Sequence, residues 1–365
     1  MSFALLAGIA ASAAAQPAKG TRQTFDVQAP TPHHIVMTMD LEPARDMLIL
    51  VSGKPDAPAA LKRLKASPAV SRILKKQGLA ADDFFGRLAS AAAGTPDPLL
   101  STFSSRAEAL GRVLEGFDAD AAALVDLSGR RVASLLPATP TVSARFVLVP
   151  FLGVSGFSDV TSVNSGPDDE SILLVADVAR MTDDPLAAPT SRETVLKVLR
   201  AASSEAWQVL FDVYFRKGPA WVEEKAPGFE TLLLRTAAEG PATLFLFPDE
   251  FFPLSALLDE PIARAFGRWN RAAERLQEPK LKESEKGDVV SDLSRGDFWN
   301  RSTAIVGAQI VDALIRTVGR DEYLKALAAG PRSVATLYLQ ASKGTKLPAF
   351  GKAAKKFLEA RPPGS

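Results

Sequence analysis

The chain has 365 residues, 47% of them hydrophobic, enough to bury a sizeable core in one large domain or two of ordinary size. Its 43 Lys and Arg balance 42 Asp and Glu, and a formal charge of +1 carries no electrostatic footprint for nucleic acid or an anionic membrane. The absence of cysteine excludes disulfides, thiolate nucleophiles, iron–sulfur clusters and sulfur-ligated zinc, so any metal would have to be held by His, Asp or Glu.

In chain order, Phe3 to Ala15 is apolar, rich in small residues and too short to span a bilayer, and it ends in Ala13-Ala14-Ala15 before Gln16. It reads as a signal peptide, the alternative being a disordered Ala-rich start, and no later apolar run is long enough to cross a membrane. The expectation is an exported, periplasmic or extracellular protein. His34 to Met39 alternates weakly and predicts a short strand, followed by a helix from Glu42-Pro43. Helical spacing of apolar residues then recurs over Ala60–Leu64, Ala69–Lys76, Ala80–Ala93, Pro98–Leu114 and Ala119–Leu135, punctuated by Gly78, Gly94-Thr95-Pro96 and Gly116.

The β-favouring runs Arg145–Phe151 and Ser171–Val175 predict two strands of a small sheet around the Gly/Ser/Asn/Asp-rich segment Gly153 to Asp169. Helices are expected over Ser191–Phe215, Phe229–Phe247 and Pro261–Arg275, and the charged stretch Leu276 to Arg295 as a solvated loop or surface helix. Four helices close the chain: Ser302–Val318, Asp321–Ala328, Ser333–Gln340 and Ala349–Ala360. The fold class is therefore mainly α with a small β-sheet.

Within the long helix stands Ala202-Ser203-Ser204-Glu205-Ala206-Trp207-Gln208. In an H-E-x-x-H peptidase, two His one helical turn apart hold zinc and the intervening Glu is the general base for metal-bound water. Ser204 and Gln208 occupy the two His spacings and Glu205 the base position. Downstream, Thr236-Ala237-Ala238-Glu239-Gly240-Pro241-Ala242 resembles the E-G-x-A helix that gives gluzincins their third ligand, with Glu239 at that position and Pro241 a departure that would strain or kink the helix. Gly153 to Val175 resembles the sheet edge beside the cleft of such enzymes. Ile305-Val306-Gly307 to Ile315, Gly319 to Leu324, Gly330-Pro331 and Tyr338 resemble their closing helices.

In this order, from His34 to about Ala341, the chain resembles the zinc-dependent peptidases grouped as domain of unknown function 5700. The resemblance implies a zincin-like, gluzincin-type α+β architecture. It divides the chain into a signal peptide (1–15), a flexible lead (16–33), an N-terminal helical part (34–136), a zincin-like part with the small sheet and both motif helices (137–345), and a C-terminal helix and tail (346–365).

It also implies a site in which Glu205 is a vestigial general base and Ser204, Gln208 and Glu239 stand at degenerate zinc-ligand positions. A hydroxyl and an amide bind zinc poorly beside nitrogen donors, so no cofactor is expected. His33 and His34 are adjacent and cannot reproduce the i, i+4 pair; they are expected to cap a strand or lie on the surface. A hard cation on Glu205, Asp212 and Glu239 is a lesser alternative, and without one the carboxylates call for a base such as Arg235. No GxSxG elbow or P-loop appears, Gly153-Val154-Ser155-Gly156 reads as a turn, and Asp168-Asp169-Glu170 and Glu223-Glu224 read as solvated runs. Phe245, Phe247, Phe251 and Phe252 read as core.

Three functions are left open. The first is a non-catalytic pseudopeptidase that binds a peptide or protein partner in the inherited cleft, by strand addition near Ile172 to Val175. The second is an active metal-dependent hydrolase pivoting on Glu205 and Glu239. The third is a structural helical protein with no cleft function.

Overall fold

The computed structural model describes residues 31–95, 97, 107–151, 160–163, 171–178, 191–216, 221, 228–247 and 259–360. The expected signal peptide, most of the lead, the Gly153–Gly156 turn, both acidic runs, Phe251 and Phe252 lie outside these residues. The architecture is mainly helical with one four-stranded mixed sheet.

The strands are β1 (His34–Met39), β2 (Ser143–Phe151), β3 (Val160–Val163) and β4 (Ile172–Asp177), in the order β1-β2-β4-β3. β1, β2 and β4 run parallel, and β3 pairs antiparallel with β4. β3 falls inside the segment read from sequence as a polar connector. Its four residues, Val-Thr-Ser-Val, are β-branched at three positions and bury the two valines, a signal too short to stand out among flanking Gly, Ser and Asn. β4 is consequently an interior strand with both backbone edges paired, which overturns strand addition at Ile172 to Val175.

Four short helices follow β1: α1 (Glu42–Val51), α2 (Ala57–Ala66), α3 (Pro68–Gln77) and α4 (Ala81–Ala92). α1 packs on β2, and Phe84 of α4 stacks on Phe151 with ring centroids 6.3 Å apart. α5 (Ala107–Ser134) covers the other face of the sheet. A Cβ on its Gly129 would sit 3.0 Å from the Ile35 carbonyl oxygen, so glycine is what lets α5 approach β1 this closely.

α5 runs unbroken through Gly116, where the sequence predicts an interruption. One interior glycine costs a helix about 1 kcal/mol, and burial of Leu110, Val113, Leu114, Phe117 and Val125 on either side outweighs it. Along β2 the residues from Leu148 to Phe151 are buried on both faces, whereas Ser143 and Arg145 at its start are exposed.

α6 (Ser191–Leu210) packs on α5 and continues as a π-helical turn, Phe211–Phe215. α7 (Phe229–Phe245) packs on α6 and, most extensively, on α10 (Ser302–Thr317). The remaining helices are α8 (Asp259–Arg275), α9 (Glu283–Ser294), α11 (Arg320–Ala328), α12 (Pro331–Ala341) and α13 (Lys352–Ala360). α9 arises in the charged stretch because Val289, Val290 and Leu293 share one buried face. No helix among the described residues is long and apolar enough to cross a membrane.

Candidate functional site

The rotation of α6 is set by Trp207, fully buried, whose indole N–H donates to the Leu135 carbonyl just beyond α5 at 3.0 Å. With Trp207, Ala202, Ala206 and Leu210 inward, Ser204 is buried at 8% exposure and Glu205 and Gln208 are half-buried at the margin. Glu205 then reaches the sheet: its Oε1 accepts the backbone N–H of Ser162 in β3 at 2.9 Å. Ser162 lies opposite Leu174 in the antiparallel register. Alternate residues of such a ladder turn their N–H groups away from the partner strand, so Glu205 holds a donor on the outward edge of β3.

Glu239 belongs to the opposite neighbour of this helix pair. Its Oε2 accepts the Thr303 hydroxyl at 2.7 Å, and the Arg301 guanidinium stands 4.0 Å away. Ser294 of α9 lies 3.1 Å from the same hydroxyl, so Ser294, Thr303 and Glu239 line up in one short network. The geometry follows from a close helix crossing: a Cβ on Gly240 would lie 2.6 Å from the Gly307 carbonyl carbon, and one on Gly307 would lie 2.2 Å from the Thr236 carbonyl oxygen. Backbone contact at Gly307 brings Thr303, one turn earlier, beside Glu239.

Pro241 is buried within α7, and the helix continues through it to Phe245 rather than breaking. A proline removes one backbone donor, a loss of a few kcal/mol that the buried surroundings of Gly240, Ala242 and Leu244 offset.

The structure thus brings the two motif helices together but turns their carboxylates to different partners. The base nearest Glu239 is Arg301, not Arg235, whose buried Nε has no hydrogen-bond partner among the described residues. Asp212 pairs with Arg216 on the exposed π turn at 3.2 Å. The three carboxylates of the alternative cation set, Glu205, Asp212 and Glu239, are thus each engaged by a different partner, and among the described residues no three His, Asp or Glu side chains gather.

The donor set also fits zinc poorly on chemical grounds. Ser204 and Gln208 offer neutral oxygen or amide atoms, Glu205 is engaged by an amide, and Glu239 lies beside a guanidinium that would repel a dication.

The two histidines take opposite roles. His33 is buried, its Nδ1 accepting the Val142 N–H at 3.1 Å where the β1–β2 ladder begins, and His34 is exposed. Thr31 bonds the Ala133 carbonyl, so the last residues of the expected lead are tied to the fold. Burial pushes the His33 imidazole below its ordinary pKa; the carbonyls of Leu136 and Pro137 oppose this, although Nε2 completes no hydrogen bond to either. Phe245 and Phe247 are buried, as expected.

Sequence reasoning missed Ser162, Thr303 and Arg301, all partners of the motif residues. The Val-Thr-Ser-Val run was the available signal for the first. For the other two there was none, because helix-to-helix partners 60 residues or more apart leave no local pattern. Compared with protein-family models, with curated proteins and with solved structures, the chain matches none of them.

Proposed function

We propose that the chain is an exported, non-catalytic, zincin-like pseudopeptidase that holds an extended peptide along the outer edge of β3. The observation that carries this reading is the hydrogen bond from the outward Ser162 amide to Glu205. The residue at the general-base position serves as a stand-in acceptor for an edge-strand donor, which is the donor an incoming peptide carbonyl would use. A mixed sheet with one short antiparallel edge strand beside α6, and α7 packed next to α6, support the zincin-like reading. Without imidazoles at positions 204 and 208, nothing activates water there, and the site binds rather than cleaves.

Two variants test it in a peptide-library binding screen on the purified protein. Ser162→Pro removes the outward N–H, keeps an extended backbone and leaves the β3–β4 ladder intact, and is expected to weaken binding about tenfold, as loss of a backbone hydrogen bond within a strand-addition interface implies. Glu205→Ala removes the competing acceptor and is expected to tighten binding. Peptide binding indifferent to Ser162→Pro, or hydrolysis of any library member that Glu205→Gln abolishes, overturns the proposal.

A further inference from the structure

A second feature lies where the parallel strands begin, and it reaches β4 at Ile172, next to Leu173, the partner of Val163 in β3. The N-terminal ends of the three parallel strands form a cleft of about 310 Å³ lined by His34, Ser143, Arg145, Ser171 and Tyr214, among others. The register explains the gathering: His34 is opposite Ser143 and Val36 is opposite Arg145, so these side chains stand on one face of neighbouring strands. Where β2 runs on, from Leu148 to Phe151, both of its faces are buried, but at its start Ser143 and Arg145 are exposed.

Three properties single the cleft out. First, Arg145 is exposed and makes no hydrogen bond or ion pair among the described residues, in a structure where most arginines are engaged by carboxylates or carbonyls. Second, its described lining includes no carboxylate, while Arg145, the His34 ring and three hydroxyls supply donors suited to an oxyanion. Third, the π-helical turn at the end of α6 presents Val213 and Tyr214 outward at 43% and 41% exposure, and the Tyr214 ring forms a wall of the cleft. π turns recur at functional sites, and this one sets an aromatic ring beside the donors of the cleft.

We propose that this cleft binds a small organic oxyanion, a carboxylate or a phosphate ester, with the charged group on Arg145 and His34 and the organic part against Tyr214. The site shares no residue with the β3 edge and stands whether or not that reading holds.

The chain has only two histidines, so its imidazole NMR spectrum contains one buried and one exposed reporter. His34→Gln assigns the exposed signal. Titration of the whole protein with phenyl phosphate, benzoate and inorganic phosphate is expected to move the His34 signal saturably and leave His33 in place, and the tighter of the first two probes identifies the oxyanion. Arg145→Ala, which breaks no side-chain hydrogen bond or ion pair among the described residues, is expected to weaken binding at least tenfold. Tyr214→Ala is expected to weaken phenyl phosphate or benzoate while leaving inorganic phosphate unchanged. No saturable shift with any probe, or equal affinity in Arg145→Ala with an unaltered melting curve, overturns the proposal.

Discussion

His33 and Asp312 are buried ionisable side chains that make stability depend on pH in opposite senses. The His33 pKa is lowered in the folded chain by burial, so protonation favours the unfolded state. Its contribution is complete above about pH 6.5, the ordinary value for histidine, and is lost as pH falls below it. Asp312 of α10 behaves the other way: burial pushes its carboxyl up to about 6, against the partial relief of the Arg316 charge and its 2.9 Å hydrogen bond, and its Oδ2 has no hydrogen-bond partner among the described residues. A raised carboxyl favours the folded state while it stays protonated, so that stability is complete below about pH 4 and is lost as pH rises through about 6.

Denaturant titrations from pH 4 to 8 are expected to show Asp312→Asn more stable than the parent at neutral pH by on the order of 1–3 kcal/mol, the gain vanishing near pH 4. His33→Gln is expected to lose the acid sensitivity below pH 6.5. An Asp312→Asn profile parallel to the parent at every pH would show that this carboxyl is not the source. At this scale the sequence placed Glu205 on α6 but could not say what it touches, because its partner is a backbone amide of a strand hidden in polar surroundings. His33 was likewise hidden: its neighbours Pro32 and His34 are exposed, and no periodicity marks a single inward residue in an otherwise polar lead.

Among the elements, the tightest constraint is the α7–α10 crossing. Gly240 and Gly307 touch backbone to backbone, and neither backbone can yield without separating two buried helices. Gly240→Ala gains about 1 kcal/mol of helix propensity but inserts a methyl 2.6 Å from the Gly307 carbonyl carbon. The clash decides the sign, and a net loss of about 3 kcal/mol is expected from the shift in the denaturation midpoint. Gly86 of α4 is the contrasting case, with nothing within 4 Å of an added Cβ. Gly86→Ala is expected to stabilise by about 0.5–1 kcal/mol, and equal effects of the two substitutions would contradict the crossing.

The same crossing explains which elements were legible. α6, α7, α8 and the closing helices carry long apolar periodicities, and their bounds match the sequence reading to within a few residues. Gly116 was misread as a break because local propensity was overruled by burial that only the assembled helices provide. β3 was missed for the reverse reason, since four residues are too few to show a period of two.

At the scale of the whole molecule, α6 and α7 join the sheet with its covering helices to the C-terminal helices. α6 lies against α5, β3 and β4 on one side and against α7 on the other, and α7 lies against α10 and α12. Ala202 and Ala206 of α6 and Leu232 and Leu233 of α7 are all buried along this line. The buried side chains of the described residues form one contiguous cluster, and the chain is expected to unfold as one cooperative unit.

The four tryptophans allow this to be measured. Trp207 is fully buried against Phe211 in the part nearest the sheet, and Trp269 is fully buried against Phe350 among the C-terminal helices, donating to the Thr236 hydroxyl of α7 at 2.8 Å. A variant retaining only Trp207 and another retaining only Trp269, the remainder changed to Phe, are each destabilised by their substitutions. The comparison is therefore made within each variant between fluorescence and far-ultraviolet circular dichroism. Coincident transitions in both variants are the expected result. A Trp269 signal lost at lower denaturant than the bulk helix signal would mean that the C-terminal helices melt on their own. The α6–α7 contact would then be a docking surface between two folding units rather than the middle of one core.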